Sequence, residues 1–353
     1  MKIKSRIKDY QVFFEREPDF LQGILETPMA QIVVDQKVYR LYRDLFRQID
    51  EERIFLIEAV EENKRIETAL DICGKMTAIP AKRNATLISI GGGIIQDITG
   101  FAASILYRGI KWIFVPTTLL AQCDSCIGGK TSLNYQRYKN LLGSFYPPDE
   151  IHICPRFVDT LTQCDFESGM GEVVKFNLMG GEAGLAHIRG QMSALMRRDG
   201  QAVENAVRYS LEFKKPFIEK DEFDRDERIK LNFAHTFGHA VETVTKYEIP
   251  HGTAVAMGMI MANSVSVKRG ILALGTARAY EEILLQVIHM DPALLEHPLE
   301  EFLQAMRKDK KQNGASLTIV LMTDEAGELK IVHDASQEEV SQAFAYFREL
   351  YGR

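Results

Sequence analysis

The sequence lacks an apolar stretch long enough to cross a bilayer. The longest one, residues 254–267, is interrupted by Asn263, Ser264 and Ser266, whereas a membrane-spanning helix needs about 20 mostly apolar residues. The stretch therefore predicts a buried helix. The first twenty residues also lack the apolar core of a secretory signal, so we expect no export signal there.

Positive charge is not in excess, because 43 Lys and Arg stand against 49 Asp and Glu, a formal net charge of −6. This balance argues against nucleic acid or an anionic membrane as the main partner. Five cysteines without a secretory signal favour a reducing cytoplasm. Cys123 and Cys126 have metal-like spacing, but no second pair completes a site, so we expect buried thiols.

No internal repeat or low-complexity tract is present, and the pattern changes once along the chain. Residues 1–13 alternate polar and apolar, which predicts an edge strand. Strands alternating with amphipathic helices follow and predict a parallel α/β sheet. The predicted strands are residues 31–35, 53–57, 86–90 and 111–115, and the predicted helices include 67–76, 94–104 and one through Tyr39 to Phe46.

From about Arg156 the spacing of apolar residues is mostly helical, so we predict two domains, residues 1–155 and 156–353. Near the end, residues 316–322 and 328–332 predict a hairpin, and Ser336 with Glu339 predicts a capping box that opens the last helix.

Gly91, Gly92 and Gly93 follow a predicted strand and open a predicted helix. Glycines let the backbone approach a pyrophosphate closely, and a helix N-terminus favours its negative charge. A tight structural turn is the alternative, because the usual dinucleotide-binding glycine spacing is absent.

Three of the eight histidines fall within residues 232–251. His235 and His239 are four apart and would share one helix face. Residues 250–252 predict a break that returns the chain before the next helix and carries His251 with it. Three such imidazoles indicate a metal site, since catalytic zinc takes three protein ligands and an open position. Helix-capping or core histidines are the alternative for a single His-x-x-x-His pair.

Ten short segments along most of the chain form a recognisable pattern. Three of them contain the motifs Pro-Thr-Thr-Leu-Leu, Gly-Gly-Lys-Thr and His-Thr-Phe-Gly-His. The segments are residues 91–97, 108–109, 115–121, 124–125, 127–131, 139–140, 168–169, 172–175, 232–239 and 251–252. With these motifs the sequence resembles the 3-dehydroquinate synthase family of sugar-phosphate cyclases, from about residue 55 to residue 335.

The resemblance implies an α/β N-terminal Rossmann-like NAD-binding domain followed by a mainly α-helical metal-binding domain. It implies a lyase of the shikimate pathway of aromatic amino acid biosynthesis, which converts 3-deoxy-arabino-heptulosonate 7-phosphate to 3-dehydroquinate and phosphate. In the family, NAD oxidises the C5 hydroxyl, phosphate leaves by β-elimination, NADH returns the hydride, and an intramolecular aldol closes the carbocycle. The implied cofactors are NAD and a divalent metal, zinc or cobalt, and the implied assembly is a cytoplasmic homodimer.

The resemblance also assigns roles to residues. The metal would be held by Glu172, His235 and His251. NAD would be bound by Glu61, Lys64, Gly92, Gly93, Asp97, Thr117, Thr118, Asp124, Lys139 and Thr160. The catalytic residues would be Lys130, Lys175, Lys214, Asn232 and His239. The substrate would be bound by Arg108, Asn140, Arg228 and Lys310, with Lys311 as the alternative to Lys310.

Six of the catalytic and substrate-binding residues are cations, and each by itself would be a solvated surface charge: Arg108, Lys130, Lys175, Lys214, Arg228 and Lys310. As a converging set they suit a substrate that carries both phosphate and carboxylate. Arg228 ends the charged run 224–228, which by composition alone predicts a solvated loop. In the family the matching arginine enters the neighbouring subunit's active site, so the resemblance predicts a pocket completed in trans.

The chain departs from the family pattern at four places. Gln96 replaces a small residue and could crowd or hydrogen-bond the cofactor phosphates, and Thr253 replaces a glutamate that would support the metal site. Residues 135–138 replace a His-Pro-Leu-Gly-like segment, and Thr162, Cys164 and Asp165 replace a Pro-x-Arg-Glu pattern.

Three alternative functions are open. The first is a related cyclase of secondary metabolism acting on sedoheptulose 7-phosphate or a similar sugar phosphate. The second is a metal-dependent alcohol dehydrogenase, which would need no site for two anions. The third is a non-catalytic scaffold, which would need none of the three metal ligands.

Overall fold

The computed structural model describes residues 1–80, 83–136, 138–307, 317–325 and 328–352. The chain forms two compact units. Unit 1 contains Met1–Leu161 and Lys215–Phe223, and unit 2 contains Thr162–Lys214 and Asp224–Arg353. The predicted division after residue 155 stays a prediction, because compactness alone does not show that a segment folds independently.

Among the described residues, unit 1 contains a seven-stranded sheet, a two-stranded hairpin, four complete α-helices and the end of a helix that begins in unit 2. Its strands are β1 (Lys2–Ile3), β2 (Tyr10–Phe14), β3 (Ala30–Asp35), β4 (Ile54–Ile57), β5 (Thr86–Gly91), β6 (Lys111–Pro116), β7 (Lys130–Tyr135), β8 (Tyr138–Phe145) and β9 (Glu150–Ile153). Its helices are α1 (Leu21–Leu25), α2 (Gln36–Leu41), α3 (Ile66–Ala78) and α4 (Gly93–Ile105).

The sheet has the strand order β1-β2-β9-β6-β5-β3-β4. All its pairs are parallel except β1 with β2. Every residue of β5 and all but the last of β3 are buried, as expected for strands covered on both faces. This burial explains why both strands are continuous apolar runs in the sequence and why they are predicted closely.

The single edge strand predicted over residues 1–13 is wrong in detail. The segment forms two antiparallel strands, β1 and β2, which pair through Lys2 with Gln11 and Ile3 with Tyr10. Between them, the Ser5 amide donates to the Asp9 carboxylate at 3.1 Å. The helix predicted through Phe46 is also shorter, since α2 ends at Leu41 and a separate 3₁₀ turn follows.

Unit 2 is mainly helical, as predicted. Its helices are α5 (Gln163–Met179), α6 (Gly181–Met196), α7 (Gly200–Lys220), α8 (His235–Val244), α9 (His251–Lys268), α10 (Leu274–Leu284), α11 (Leu299–Arg307) and α12 (Gln337–Tyr351). Helix α7 continues past Lys214, so its last residues belong to unit 1. The antiparallel hairpin of β10 (Leu317–Met322) and β11 (Leu329–Ala335) confirms the predicted one, and the capping box of Ser336 with Glu339 is present.

Helix α9 is the predicted buried helix, with an unbroken buried run from Gly252 to Ser266. It packs against α5, α8, α10 and α12, so apolar side chains on every face find protein neighbours. Among the described residues, no helix has both the length and the apolar character needed to span a membrane.

Candidate functional site

The candidate metal centre of unit 2 joins one carboxylate and two imidazoles. Ligand atoms of Glu172, His235 and His251 all lie within 4.8 Å of one another. Glu172 Oε1 is 3.4 Å from Nε2 of His235 and 3.4 Å from Nε2 of His251. The three residues that the resemblance assigns to the metal are therefore brought together.

Each ligand comes from a different helix. Glu172 lies in the middle of α5 and is fully buried, whereas His235 and His251 are the first residues of α8 and α9. The predicted pairing on α8 is also present, because the ring centroids of His235 and His239 are 5.5 Å apart. The break predicted before His251 separates α8 from α9.

Two glycines allow α5 and α9 to cross in close contact beside the ligands. Gly252 follows His251, and a Cβ there would lie 2.6 Å from the Ser168 carbonyl carbon. Gly171 precedes Glu172, and a Cβ there would lie 2.8 Å from the Gly252 Cα atom. Larger residues would push the two backbones apart, so these glycines bring the carboxylate and the imidazole together.

A second glycine crossing joins α8 to α9. A Cβ on Gly258 would lie 3.0 Å from the Gly238 amide nitrogen, and a Cβ on Gly238 would lie 3.2 Å from the Ala254 carbonyl. Gly238 precedes His239, so this crossing sets the imidazoles of α8 against the start of α9.

Hydrogen bonds orient both ligand rings. Nδ1 of His235 lies 3.0 Å from the Phe233 carbonyl oxygen and donates to it. Nδ1 of His251 lies 3.2 Å from Oε2 of Glu242. In both rings the bond occupies Nδ1 and leaves Nε2 facing Glu172, so Nε2 is the nitrogen that a metal would bind in place of a proton.

The donor set fits a divalent cation. Two neutral imidazole nitrogens and one carboxylate oxygen are ligands that zinc accepts in catalytic sites, where a fourth position stays open for water or substrate. The buried Glu172 carboxylate supplies the negative charge that such an ion needs. The second possible group, His239 with Glu242 and His251, shares a ring with the first.

The charge around His251 also suits ion binding. Burial by itself lowers the pKa of His251, but the carboxylates of Glu242 and Glu172 outweigh it and raise the pKa to about 10. The metal-free protein therefore holds this imidazole protonated at neutral pH. An ion that binds Nε2 must displace that proton, so metal uptake releases a proton.

Lys175 lies one helical turn after Glu172 and pairs with its carboxylate. Its side chain is almost fully buried, and Nζ also donates to the Leu231 carbonyl oxygen at 3.2 Å. The ammonium lies over the Phe176 ring, 4.5 Å from the centroid. A buried lysine held this close to the candidate metal ligand is a group that could act on a bound substrate.

Two further predicted residues of unit 2 are buried, and Asn232 is partly buried. Lys214 near the end of α7 is 6% exposed and Arg228 is 4% exposed. Asn232 ends the 3₁₀ helix Glu227–Asn232 that contains Arg228. The solvated loop that composition alone predicts for residues 224–228 is therefore wrong for Arg228, since its guanidinium is buried within its own chain. Lys310 and Lys311 lie outside the described residues.

In unit 1 the triple glycine forms the predicted turn between β5 and α4. Gly92 is the N-cap of α4, and a Cβ there would lie 2.9 Å from Thr118 Cγ2. The Thr117 amide donates to the Gly91 carbonyl oxygen at 2.9 Å. Residues after β5 and β6 thus meet at the carboxyl edge of two adjacent parallel strands, where α/β sheets bind nucleotides.

A hydrogen-bonded network joins three other predicted residues of unit 1. Lys64 Nζ lies 2.6 Å from Asp97 Oδ2 and 2.6 Å from Asn140 Oδ1. The Ser132 hydroxyl donates to Asp97 Oδ2 at 2.9 Å. Burial raises the pKa of Asp97, while Lys64 and Ser132 favour its charged form.

A second group involves Glu61 and Lys139, whose charged atoms are 3.9 Å apart. Asn134 donates to Glu61 Oε2 at 2.7 Å and accepts from the Asn140 amide at 2.9 Å. Asn134 and Ser132 have no role in the sequence prediction, although both lie on β7 two residues apart, on one face of the strand. Two polar residues at alternate positions of this segment were the feature of the sequence that could have indicated this polar face.

Other predicted residues of unit 1 are exposed or partly buried. Arg108, Lys130 and Thr160 are exposed, and the Thr160 hydroxyl donates to the Phe157 carbonyl oxygen at 3.1 Å. Asp124 is partly buried in the helical turn Ala121–Ser125. The convergence of six cations on one pocket stays a prediction.

The departures from the family pattern have local structural roles. Gln96 is 3% exposed and forms a reciprocal pair with Ser125, donating at 2.7 Å and accepting at 2.6 Å. This pair fixes the neighbouring turn, and a contact of Gln96 with the cofactor phosphates stays a prediction. Thr162 is the N-cap of α5 and accepts from the Asp165 amide at 3.1 Å.

The other two departures differ in exposure. Thr253 is 3% exposed, and a carboxylate beside the metal ligands is present in Glu242, whose Oε2 lies 3.2 Å from Nδ1 of His251. Tyr135 and Tyr138 face each other across the β7–β8 hairpin and are each 46% exposed. Cys123 and Cys126 are buried free thiols, as predicted.

Comparison with known proteins shows that two domain families match this chain one after the other. The 3-dehydroquinate synthase N-terminal family matches residues 54–168, and the 3-dehydroquinate synthase C-terminal family matches residues 169–312. The 3-dehydroquinate synthase of Dictyoglomus thermophilum is 34% identical over 97% of this chain and 97% of its own length. That of Clostridium tetani is 36% identical over 88% of this chain and 84% of its own length.

Solved structures show the same fold. The 2-epi-5-epi-valiolone synthase from Streptomyces hygroscopicus subsp. jinggangensis, solved with NAD+ and Zn2+ bound, has a TM-score of 0.84 at 24% identity and covers 98% of this chain and 99% of that one. A 2-deoxy-scyllo-inosose synthase complexed with carbaglucose-6-phosphate, NAD+ and Co2+ has a TM-score of 0.78 at 20% identity and covers 98% of both chains. An iron-containing alcohol dehydrogenase from Thermotoga maritima is more distant, with a TM-score of 0.61 at 13% identity over 96% of this chain and 98% of that one. From the matched domains and the identity over nearly the whole chain, the protein belongs to the 3-dehydroquinate synthase family.

Proposed function

We propose that the protein converts 3-deoxy-arabino-heptulosonate 7-phosphate to 3-dehydroquinate and phosphate, using catalytic NAD and a divalent metal. The observation that carries the proposal is the set of Glu172, His235 and His251 beside Lys175, in a chain that belongs to this family. A protein that only binds a sugar phosphate would need neither the ligand set nor a buried lysine next to it.

The NAD site would be the carboxyl edge of the sheet in unit 1. NAD supplies hydride transfer when it is bound. The glycine turn at Gly92 permits a close backbone approach, and the start of α4 directs its free amide groups toward a pyrophosphate. Lys64 and Asp97, held by their own ion pair, would orient the rest of the cofactor.

The metal site would be the three-helix centre of unit 2, with Glu172, His235 and His251 as ligands. A bound divalent ion supplies Lewis acidity and orients the substrate oxygens. The two imidazoles keep their Nε2 atoms toward the ion through the bonds on Nδ1. Oε1 of Glu172 faces the two imidazoles, whereas Oε2 pairs with Lys175. The carboxylate would therefore hold an ion and keep the Lys175 ammonium beside it, where it could contact a substrate oxygen.

Anion recognition separates this proposal from the alcohol dehydrogenase alternative. Lys175, Lys214 and Arg228 are buried cations of unit 2, and cations in a poorly solvated environment bind anions such as phosphate and carboxylate strongly. A substrate with both a phosphate and a carboxylate supplies two such anions. A simple alcohol supplies none.

The partner and location complete the proposal. We infer that the protein is a cytoplasmic homodimer whose substrate is a small sugar phosphate. The cysteines Cys73, Cys123, Cys126, Cys154 and Cys164 are free thiols, as expected in a reducing compartment, and NAD and sugar phosphates are metabolites of that compartment.

The experiment that tests the function compares two substrates. Phosphate release is measured from 3-deoxy-arabino-heptulosonate 7-phosphate and from sedoheptulose 7-phosphate, side by side, with NAD and metal. If the pocket recognises the carboxylate, its absence leaves a buried cation unpaired and costs roughly 1–3 kcal/mol, about ten- to a hundred-fold in kcat/KM. Equal or reversed preference would favour the cyclase of secondary metabolism.

The ligand assignment has its own test. Replacement of Glu172, His235 or His251 by Ala is expected to strip the ion, because three ligands leave little redundancy. Metal content is measured on the purified variants, with His333→Ala, an exposed histidine on β11, as the control. Full metal content in all three variants would refute the assignment.

A further inference from the structure

Glu242 holds a ligand of the metal centre from the side away from the ion. Its Oε2 lies 3.2 Å from Nδ1 of His251, and the opposite ring nitrogen lies 3.4 Å from Glu172. One imidazole is therefore bounded by a carboxylate at each nitrogen, one buried on α5 and the other on α8. The Glu242 side chain is 13% exposed, so solvent screens this contact only partly.

The two ligand imidazoles are held by different groups. His235 donates to a backbone carbonyl two residues away, so local geometry fixes its ring. His251 begins α9 after the loop from α8, and its side chain is 31% exposed against 12% for His235. The more exposed ring receives the charged acceptor, and hydrogen bonds to charged groups are stronger than those between neutral groups.

Glu242 also lies near a third imidazole. It follows His239 by three residues on α8, so the two share a helix face. The ligand atoms of His239, Glu242 and His251 all lie within 4.8 Å of one another, and the ring centroids of His239 and His251 are 5.9 Å apart. A single carboxylate thus adjoins both a metal ligand and a predicted catalytic residue.

We propose that Glu242 is a positioning residue, which fixes the tautomer and the ring orientation of His251 so that Nε2 faces the ion. The inference rests on the proposed metal site. Carboxylates that accept from a metal-bound histidine raise metal affinity, and their removal typically costs about 10–100-fold. Glu242 is therefore part of the metal site without touching the ion.

The experiment compares wild type, Glu242→Gln and Glu242→Asp with a matched control. Glu248→Gln removes the same charge at an exposed position in the loop between α8 and α9. Each protein is freed of metal, its fold is checked by circular dichroism, and its affinity for Zn2+ is measured by competition with a chromophoric chelator. The visible spectrum with Co2+ then reports the ligand geometry.

We expect Glu242→Gln to bind zinc about 10–100-fold more weakly and to change the Co2+ spectrum. Glu242→Asp keeps the charge and is expected to fall between wild type and Glu242→Gln, and Glu248→Gln is expected to match wild type. If the Gln variant does not fold, the weaker affinity expected of the Asp variant decides the question.

Two results would overturn the inference, and only the second would also refute the proposed metal-dependent function. A folded Glu242→Gln with wild-type zinc affinity and an unchanged Co2+ spectrum would remove the role of Glu242 and leave the proposed function standing. Failure of the wild-type protein to bind either ion would remove the proposed metal-dependent function as well.

Discussion

The substitution Gly252→Ala tests whether close helix crossing builds the metal centre. The new Cβ at position 252 would lie 2.6 Å from the Ser168 carbonyl carbon and would also clash with the Ser168 carbonyl oxygen. Both of these atoms belong to the backbone of α5. No side-chain rotation can relieve the contact. The Gly252 amide also donates to the Ser168 hydroxyl at 3.1 Å, so the same movement would strain that bond.

The magnitude follows from the geometry. Restoring ordinary contact with the carbonyl carbon requires α5 and α9 to separate by about 1 Å, and the carbonyl oxygen, which lies closer still, requires more. Overpacking of this kind costs about 1–3 kcal/mol or more. Since Glu172 and His251 lie on the two helices that separate, their ligand atoms would move by several times the roughly 0.2 Å that metal sites tolerate.

Unfolding by denaturant gives the change in stability, and metal content gives the change in the site. The matched control is Gly190→Ala in the middle of α6, where a Cβ meets nothing within 4 Å. Alanine there is expected to stabilise the protein by about 0.5–1 kcal/mol. A Gly252→Ala protein with wild-type stability and full metal content would refute this explanation of how the site is built.

Three further outcomes are expected. Removal of the metal by a chelator should lower the free energy of unfolding by about 2.7 kcal/mol relative to protein with free metal at 100 times Kd, and an unchanged unfolding curve would contradict metal binding. Hydrogen bonds from Arg269 lower the pKa of Glu339 to about 2, so their ion pair stabilises the fold above the ordinary pKa of 4.5 and is lost as pH falls through about 2. Glu339→Gln should therefore lower Tm at pH 7 but progressively less below pH 4.5, and an equal deficit at pH 7 and pH 3 would disprove the pairing. Mixing inactive Arg228→Ala with inactive His235→Ala subunits should restore up to one working pocket in each mixed dimer. No recovery despite demonstrated subunit exchange would place Arg228 in its own subunit's pocket, or outside the site altogether.

The parallel sheet was predictable because its strands are buried on both faces. The continuous apolar runs of β3, β5 and β6 lie within about a residue of their predicted bounds. The first thirteen residues were not predictable in the same way. Their turn is held partly by Glu222, which accepts from the Ser5 hydroxyl and the Arg6 amide, and no local pattern shows a partner more than 200 residues away.

The metal centre was partly predictable. The four-residue spacing of His235 and His239 and the break before His251 indicated a site from the residues alone, whereas Glu172 came only from the family resemblance. Glu242 was missed as a partner of His251, although its position one turn after His239 placed it on the same face. Helix packing brings that face to His251, and packing is not visible in the spacing of residues.

Burial was the property that composition predicted least well. Arg228 lies in a run of charges that is typical of a solvated loop, but it is 4% exposed. Gln96, whose contact with the cofactor phosphates stays a prediction, is 3% exposed and pairs with Ser125. Its partner lies 29 residues away in the sequence, so no local pattern indicates the pair.

The return of residues 215–223 to unit 1 limits how the protein can be dissected. Because the chain passes between the units after residues 161, 214 and 223, no single cut yields both units intact. A fragment ending at Leu161 would lack Glu219 and Glu222, which accept from the amides of Lys4 and Arg6, and it would lack the Phe223 ring that packs edge-on against Phe145 at 5.3 Å. A soluble fragment of unit 1 would therefore require residues 215–223 to be joined to it by a designed linker or supplied as a peptide.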